Sequence, residues 1–140
     1  MLTPVQATGA TIESVSGLAW VCRAAIVLAV VGVFGTWRNA GPVSLNGFQG
    51  PHNGWLVIVF ALIALAGVGA AARGSWTGIL LVFGCGAVMT YAAMLGLLGD
   101  GSILGGSSSW GVWLTVVASA GLALAAVAAA LGRVRPTPPT

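Results

Sequence analysis

Four long stretches almost free of charge divide this chain, at about residues 17–37, 54–72, 76–98 and 110–132, and no other feature constrains its fold as tightly. The hydrocarbon core of a bilayer is about 30 Å thick, so a helix needs roughly 20 predominantly apolar residues to cross it. Inside that core every main-chain N–H and C=O must be bonded within the protein, which a helix achieves by itself. Each stretch therefore predicts a transmembrane helix, and the chain predicts an all-α integral membrane protein. Composition agrees, because 58% of the 140 residues are hydrophobic and 5% are charged, against roughly 25% charged in soluble domains.

The connections set the expected arrangement. Residues 1–16 are polar and mixed, with Glu13 their only charge, and read as a cytoplasmic tail or a surface-lying lead into the first helix. They hold no basic region, and Gly35-Thr36-Trp37-Arg38 after the first stretch lacks a small-x-small cleavage site, so the first stretch reads as a retained span. Residues 38–53 are rich in Gly, Pro and Asn. Within them, 42–48 alternate weakly around an Asn46-Gly47 turn signal; an irregular loop is the preferred reading and a small hairpin on the membrane the alternative. Arg73-Gly74-Ser75 is a tight turn, which predicts that the second and third helices are antiparallel neighbours. Residues 99–109 form a Gly/Ser loop carrying Asp100, and the tail 133–140 is rich in proline, which cannot continue a helix. Segments 44–55 and 102–113 each run from serine through an aliphatic residue and glycines to tryptophan, a hint of an old duplication of a helical hairpin.

Charge placement predicts orientation. With the N-terminus inside, Arg23, Arg73, Arg133 and Arg135 lie at or near the cytoplasmic face and only Arg38 lies outside, as the positive-inside rule requires. Both ends are then cytoplasmic, and the up-down-up-down bundle presents His52 and Asp100 on its outer side. All six tryptophans, Trp20, Trp37, Trp55, Trp76, Trp110 and Trp113, fall at or within a turn or so of the expected helix ends. An indole prefers the headgroup zone, being apolar with one N–H that wants a partner, so these residues read as membrane anchors. The absence of lysine beside abundant Ala, Gly and Val suggests a GC-rich bacterial genome and hence a bacterial cytoplasmic membrane.

Residues that could carry chemistry are few. The net charge of +3 comes with five arginines scattered singly, so no cluster can track phosphates and nucleic acid is not an expected partner. Arg23 enters the first span one to two turns from its cytoplasmic end, where its long side chain can snorkel to lipid phosphates or pair with Glu13 or a partner protein. His52 has no second ligand at metal spacing, and Asp100 reads as a turn residue. Ser107, Ser108 and Ser109 lack a nucleophile elbow and read as caps of the fourth helix. Cys22 and Cys85 read as small core residues and not as a disulfide. Tyr91, Thr90 and Ser119 are too few to line a hydrated pore. No enzyme activity, metal or cofactor is expected.

Packing has a clearer signal. Gly121, Ala125 and Ala129 repeat at four-residue spacing on the fourth helix, Ala92 and Gly96 on the third, and Ala66 and Ala70 on the second. Such small-xxx-small strips let helices approach closely in lipid, either inside the bundle or against a partner. In layout, the chain resembles the small four-helix membrane proteins of actinobacteria that accompany large envelope machines, such as mammalian-cell-entry lipid transporters or respiratory supercomplexes; the nearest approach to a motif is Asn46-Gly47-Phe48 followed by Gly54-Trp55. That resemblance implies an accessory or stabilising subunit of a larger integral-membrane complex, serving transport of lipid or another substrate, or respiration. The alternative is a small stand-alone or homo-oligomeric transporter or channel, with Arg23 and Tyr91 lining a path at a subunit interface. An enzyme acting on lipid is the weakest reading, for want of a nucleophile with a base. Membrane lipids are partners on either of the first two readings.

Overall fold

The computed structural model describes residues 4–40, 42–49, 53–98 and 107–134, and for residues 4–16, 40 and 107 the backbone alone. His52, Asp100, Arg135 and the prolines of the tail lie outside the described residues. Among the described residues, four helices, α1 (Pro4–Phe34), α2 (Gly54–Ala72), α3 (Trp76–Leu98) and α4 (Trp110–Val134), accompany three short strands, β1 (Thr36–Ala40), β2 (Val43–Asn46) and β3 (Ser107–Ser108). Each helix contains a segment long and apolar enough to cross a membrane, so the chain is a multi-pass membrane protein in architecture.

The first helix differs from expectation at both ends. It begins at Pro4, where the fixed φ of proline suits a first turn, so residues 4–16 continue the helix. It stops at Phe34, where the expected span ran on to Trp37. The Gly35 amide closes the last turn by donating to the carbonyls of Val31 and Gly32, both at 3.1 Å, and the chain then extends through Thr36 and Trp37, residue types that favour a strand.

The segment preferred as an irregular loop contributes to two strands of a small sheet. β1 lies between β2 and β3 and pairs antiparallel with both. β1 ends at Ala40 and β2 begins at Val43, so Asn46-Gly47 is not the centre of the connection between them. Asn46 instead makes a local turn beyond β2, its Oδ1 accepting from the Phe48 amide at 3.0 Å while its own amide donates to Gln49 Oε1 at 3.0 Å. Ser107 and Ser108 pair with Asn39 and Arg38, so they form a strand and do not cap α4. The β1–β2 register slips between Thr36 and Arg38, a bulge that falls at Trp37, whose side chain is buried in the bundle. The Gly47 amide donates to the Val33 carbonyl at 3.0 Å and the Gly54 amide to the Gly47 carbonyl at 2.9 Å, tying the start of α2 to the end of α1. The Phe34 and Phe48 rings meet with centroids 5.3 Å apart.

Glycine sets how closely the helices pack. A Cβ at Gly111 would stand 2.7 Å from the Gly32 carbonyl oxygen, and one at Gly32 would stand 2.7 Å from the Gly111 carbonyl oxygen, so α1 and α4 touch backbone to backbone. In α3, a Cβ at Gly78 would stand 2.7 Å from the Gly67 carbonyl of α2. The intervening turn uses Gly74 at a φ of 90°, a left-handed conformation that glycine adopts without steric cost. The buried face of α2 is Gly54, Val57, Ala61, Ala64, Gly67 and Val68. The strip expected there, Ala66 and Ala70, is offset from this face, with Ala66 exposed and Ala70 half-buried. A span apolar on every side has no hydrophobic period to show which face turns inward.

Gly32→Ile or Gly111→Ile should therefore lower the stability of the purified protein by about 1–3 kcal/mol, the usual cost of overpacking. Gly121→Ile, at a position with nothing within 4 Å of its Cβ, should leave stability unchanged. Thermal unfolding in a mild detergent compares them directly; an equal effect at all three positions would contradict the backbone contact of α1 with α4.

Candidate functional site

Two features beyond helix packing could support function: a hydroxyl line through the middle of the bundle, and a cavity at the end where α4 finishes. The hydroxyl line starts on α4, where Gly111, Thr115 and Ser119 follow one another at four-residue spacing. Thr115 Oγ1 donates to the Gly111 carbonyl at 2.9 Å and lies 3.4 Å from the Ala29 carbonyl of α1. Ser119 Oγ donates to the Thr115 carbonyl at 2.7 Å and lies 3.0 Å from Thr90 Oγ1 of α3, which also lies 2.8 Å from the Gly86 carbonyl. Thr115 and Ser119 are both fully buried. In lipid a hydroxyl must find a carbonyl, and these find carbonyls on their own helix within reach of the neighbouring one. Thr115 escaped the sequence reading, although the spacing Gly111, Thr115, Ser119, Ala123 is as regular as the strip that was singled out.

The expected packing residues divide. Ala92 is buried, and Gly96 is half-buried beneath the Trp37 ring, where an added Cβ would meet Cζ3 at 2.7 Å. On α4, Ala125 is buried and Ala129 half-buried, but Gly121 is exposed. The anchor residues divide too. Trp20, Trp55, Trp76, Trp110 and Trp113 are exposed, whereas Trp37 is 1% exposed. Trp37 is thus a packing residue where a membrane anchor was expected: its indole N–H donates to the Gly32 carbonyl at 2.9 Å, and its ring covers Gly96. A belt position would leave that ring in the headgroups, but the slip in the β1 register sends it inward. Arg38 beside it is also buried, 5% exposed, where the sequence suggested an outer-loop charge.

At the opposite end, the carbonyls of the α2–α3 turn receive Arg133 from α4. Its Nη2 donates to the Ala71 carbonyl at 2.8 Å and its Nη1 to the Gly74 carbonyl at 3.1 Å, while Cζ lies 5.8 Å from the centroid of the Trp76 ring. Arg23 is exposed, with Cζ 5.6 Å from the Trp20 ring centroid, so each guanidinium rests over an indole within cation–π range. Beside Arg133 a cavity of about 410 Å³ opens between the helices, walled by Leu18 and Cys22 of α1, Val68 of α2, Val82 of α3 and a series of α4 alanines. Tyr91 is exposed on α3, away from these walls. Among the described residues, no group of three or more His, Cys, Asp or Glu side chains comes together.

If Trp37 packs as described, Trp37→Ala should cost about 3–5 kcal/mol, the range for emptying a large aromatic site. Trp113→Ala, on an exposed ring, should cost far less. Denaturation monitored by far-UV circular dichroism separates them, and equal losses would place Trp37 on the surface.

Comparison of this chain with protein-family models, with curated proteins and with solved structures finds no match in any of the three.

Proposed function

We propose that this protein is a non-catalytic accessory or stabilising subunit of a larger complex of the bacterial cytoplasmic membrane, a transporter of lipid or another substrate being the assembly that best fits its layout. On this reading the helices alternate up and down with both chain ends in the cytoplasm. Support for the alternation comes from contacts that run in opposite senses: Gly32 and Ala29 of α1 meet Gly111 and Thr115 of α4, and Thr90 and Gly86 of α3 meet Ser119 and Ala123 of α4. Support for the orientation comes from the arginines. Arg23, Arg73 and Arg133 gather toward the end opposite the small sheet, which holds Arg38.

One observation carries the functional reading. The buried hydroxyls in the middle of the bundle are engaged in holding helices together, while the outward surface is apolar and includes helical glycines, Gly84 and Gly121, with nothing within 4 Å of where a Cβ would stand. An interior committed to packing with an outer surface open to close backbone approach suits a subunit that packs against other membrane helices.

Affinity purification from native membranes in a mild detergent should recover the protein with a large heteromeric complex. Gly121→Ile should reduce that recovery while leaving the amount of protein in the membrane unchanged. A defined homo-oligomer that supports flux in liposomes would overturn the proposal. For the orientation, Ser44→Cys should react with an impermeant maleimide from outside intact cells, since Ser44 is exposed and the native thiols Cys22 and Cys85 are buried; reaction only after the membrane is opened would reverse the topology.

A further inference from the structure

We propose that the cavity beside Arg133 holds an acyl chain of an anionic phospholipid, with the lipid phosphate seated on Arg133. The inference requires only that the chain spans a membrane, and stands or falls separately from any role as an accessory subunit.

The walls favour a hydrocarbon. All four helices contribute, and the lining is apolar: Leu18, Cys22, Val68, Ile79 and Val82, with alanines filling most of the remaining positions. Alanine side chains are too short to close the space between helices, which is how a volume of about 410 Å³ persists between helices that elsewhere touch backbone to backbone. An apolar cavity does not hold water well and takes up apolar guests. Within a bilayer the guest at hand is a lipid chain.

The mouth favours a phosphate. An arginine has five N–H donors; two of those on Arg133 go to the Ala71 and Gly74 carbonyls, so three remain on an exposed guanidinium at the rim. The two carbonyl bonds and the Trp76 ring hold the guanidinium in place, so little freedom is lost when it binds. Its planar fork matches the oxygens of a phosphate. Arg23 follows the wall residue Cys22 in sequence and is also exposed, which adds positive charge on the α1 side. No acidic side chain is among those described, so nothing described near the rim opposes an anion. An apolar wall beneath a positive rim is the complement of an amphiphile with an anionic head.

Full-length protein, purified in nonionic detergent and stripped of lipid, would be exposed to phosphatidylglycerol carrying a photoactivatable group in its acyl chain, or to diacylglycerol with the same chains. Cross-links mapped by mass spectrometry should fall on peptides holding Leu18 to Cys22 and Ala125 to Gly132, with phosphatidylglycerol favoured about tenfold, as expected for one charge-assisted contact. Unlabelled phosphatidylglycerol should compete these cross-links away and leave those on outward residues such as Leu62 and Val117. Ala129→Leu should fill the space and abolish the wall cross-links of both probes. Arg133→Gln should remove the preference for phosphatidylglycerol and keep the diacylglycerol cross-links. Cross-links spread evenly over the outer faces, wall cross-links that unlabelled lipid does not displace, or no preference between the probes in the unaltered chain would overturn the proposal; none of the three needs a variant to fold.

Discussion

Helices in lipid gain nothing from hiding apolar side chains against one another, because lipid tails are as apolar as leucine. Association depends on close fit, and the backbone contact of Gly32 with Gly111 provides it here. That contact brings α1 near enough for Thr115 Oγ1 to lie within 3.4 Å of the Ala29 carbonyl, so the hydroxyl meets both its own helix and the next. From Thr115 the same row of α4 continues to Ser119 and so to Thr90 of α3. One helix, by one row of small and hydroxylated residues, therefore sets the spacing of both its neighbours.

The small sheet extends this logic beyond the helices. Its central strand leaves α1 only two residues after Phe34, and the register slip falls at Trp37, the largest fully buried side chain among the described residues. Trp37 then joins three parts of the chain: its indole N–H donates to the Gly32 carbonyl of α1, its ring lies on Gly96 of α3, and its main-chain carbonyl accepts from the Ser109 amide at 3.0 Å ahead of α4. Gly32 thus serves twice, its carbonyl oxygen lying against Gly111 of α4 and accepting from the indole. On this side Gly47 is held by main-chain bonds to Val33 and Gly54.

The other end is built differently. Among the described residues no sheet closes it; the Ala71 and Gly74 carbonyls face the last turn of α4, which reaches them through Arg133. Alanine replaces the larger side chains along the inner wall, and the space it leaves is open toward the outside. The contrast between an end sealed by an indole and an end lined by alanine is the main asymmetry of the molecule along its helices.

Much of the fold was legible in the sequence, and for a physical reason. Hydrocarbon thickness turns length and hydropathy directly into helices, so the starts of α2, α3 and α4 coincide with Gly54, Trp76 and Trp110, where turn residues give way to apolar runs. The faces were not legible, because spans apolar all round have no period that distinguishes a core position from a lipid position. Gly121 and Ala66 are small and regularly spaced yet exposed, while Gly111 and Thr115, with the same spacing, make close contacts with α1. Trp37 was equally opaque: at the end of an apolar run an indole satisfies a headgroup interface and a buried carbonyl alike, and only the bulged register of β1 against β2 selects the carbonyl of Gly32. The sequence by itself determined that the chain has four spans fit to cross a membrane, and where α2, α3 and α4 begin. Tertiary structure decided which small residues touch, which tryptophan is buried and where space is left, because each depends on how helices distant in sequence meet.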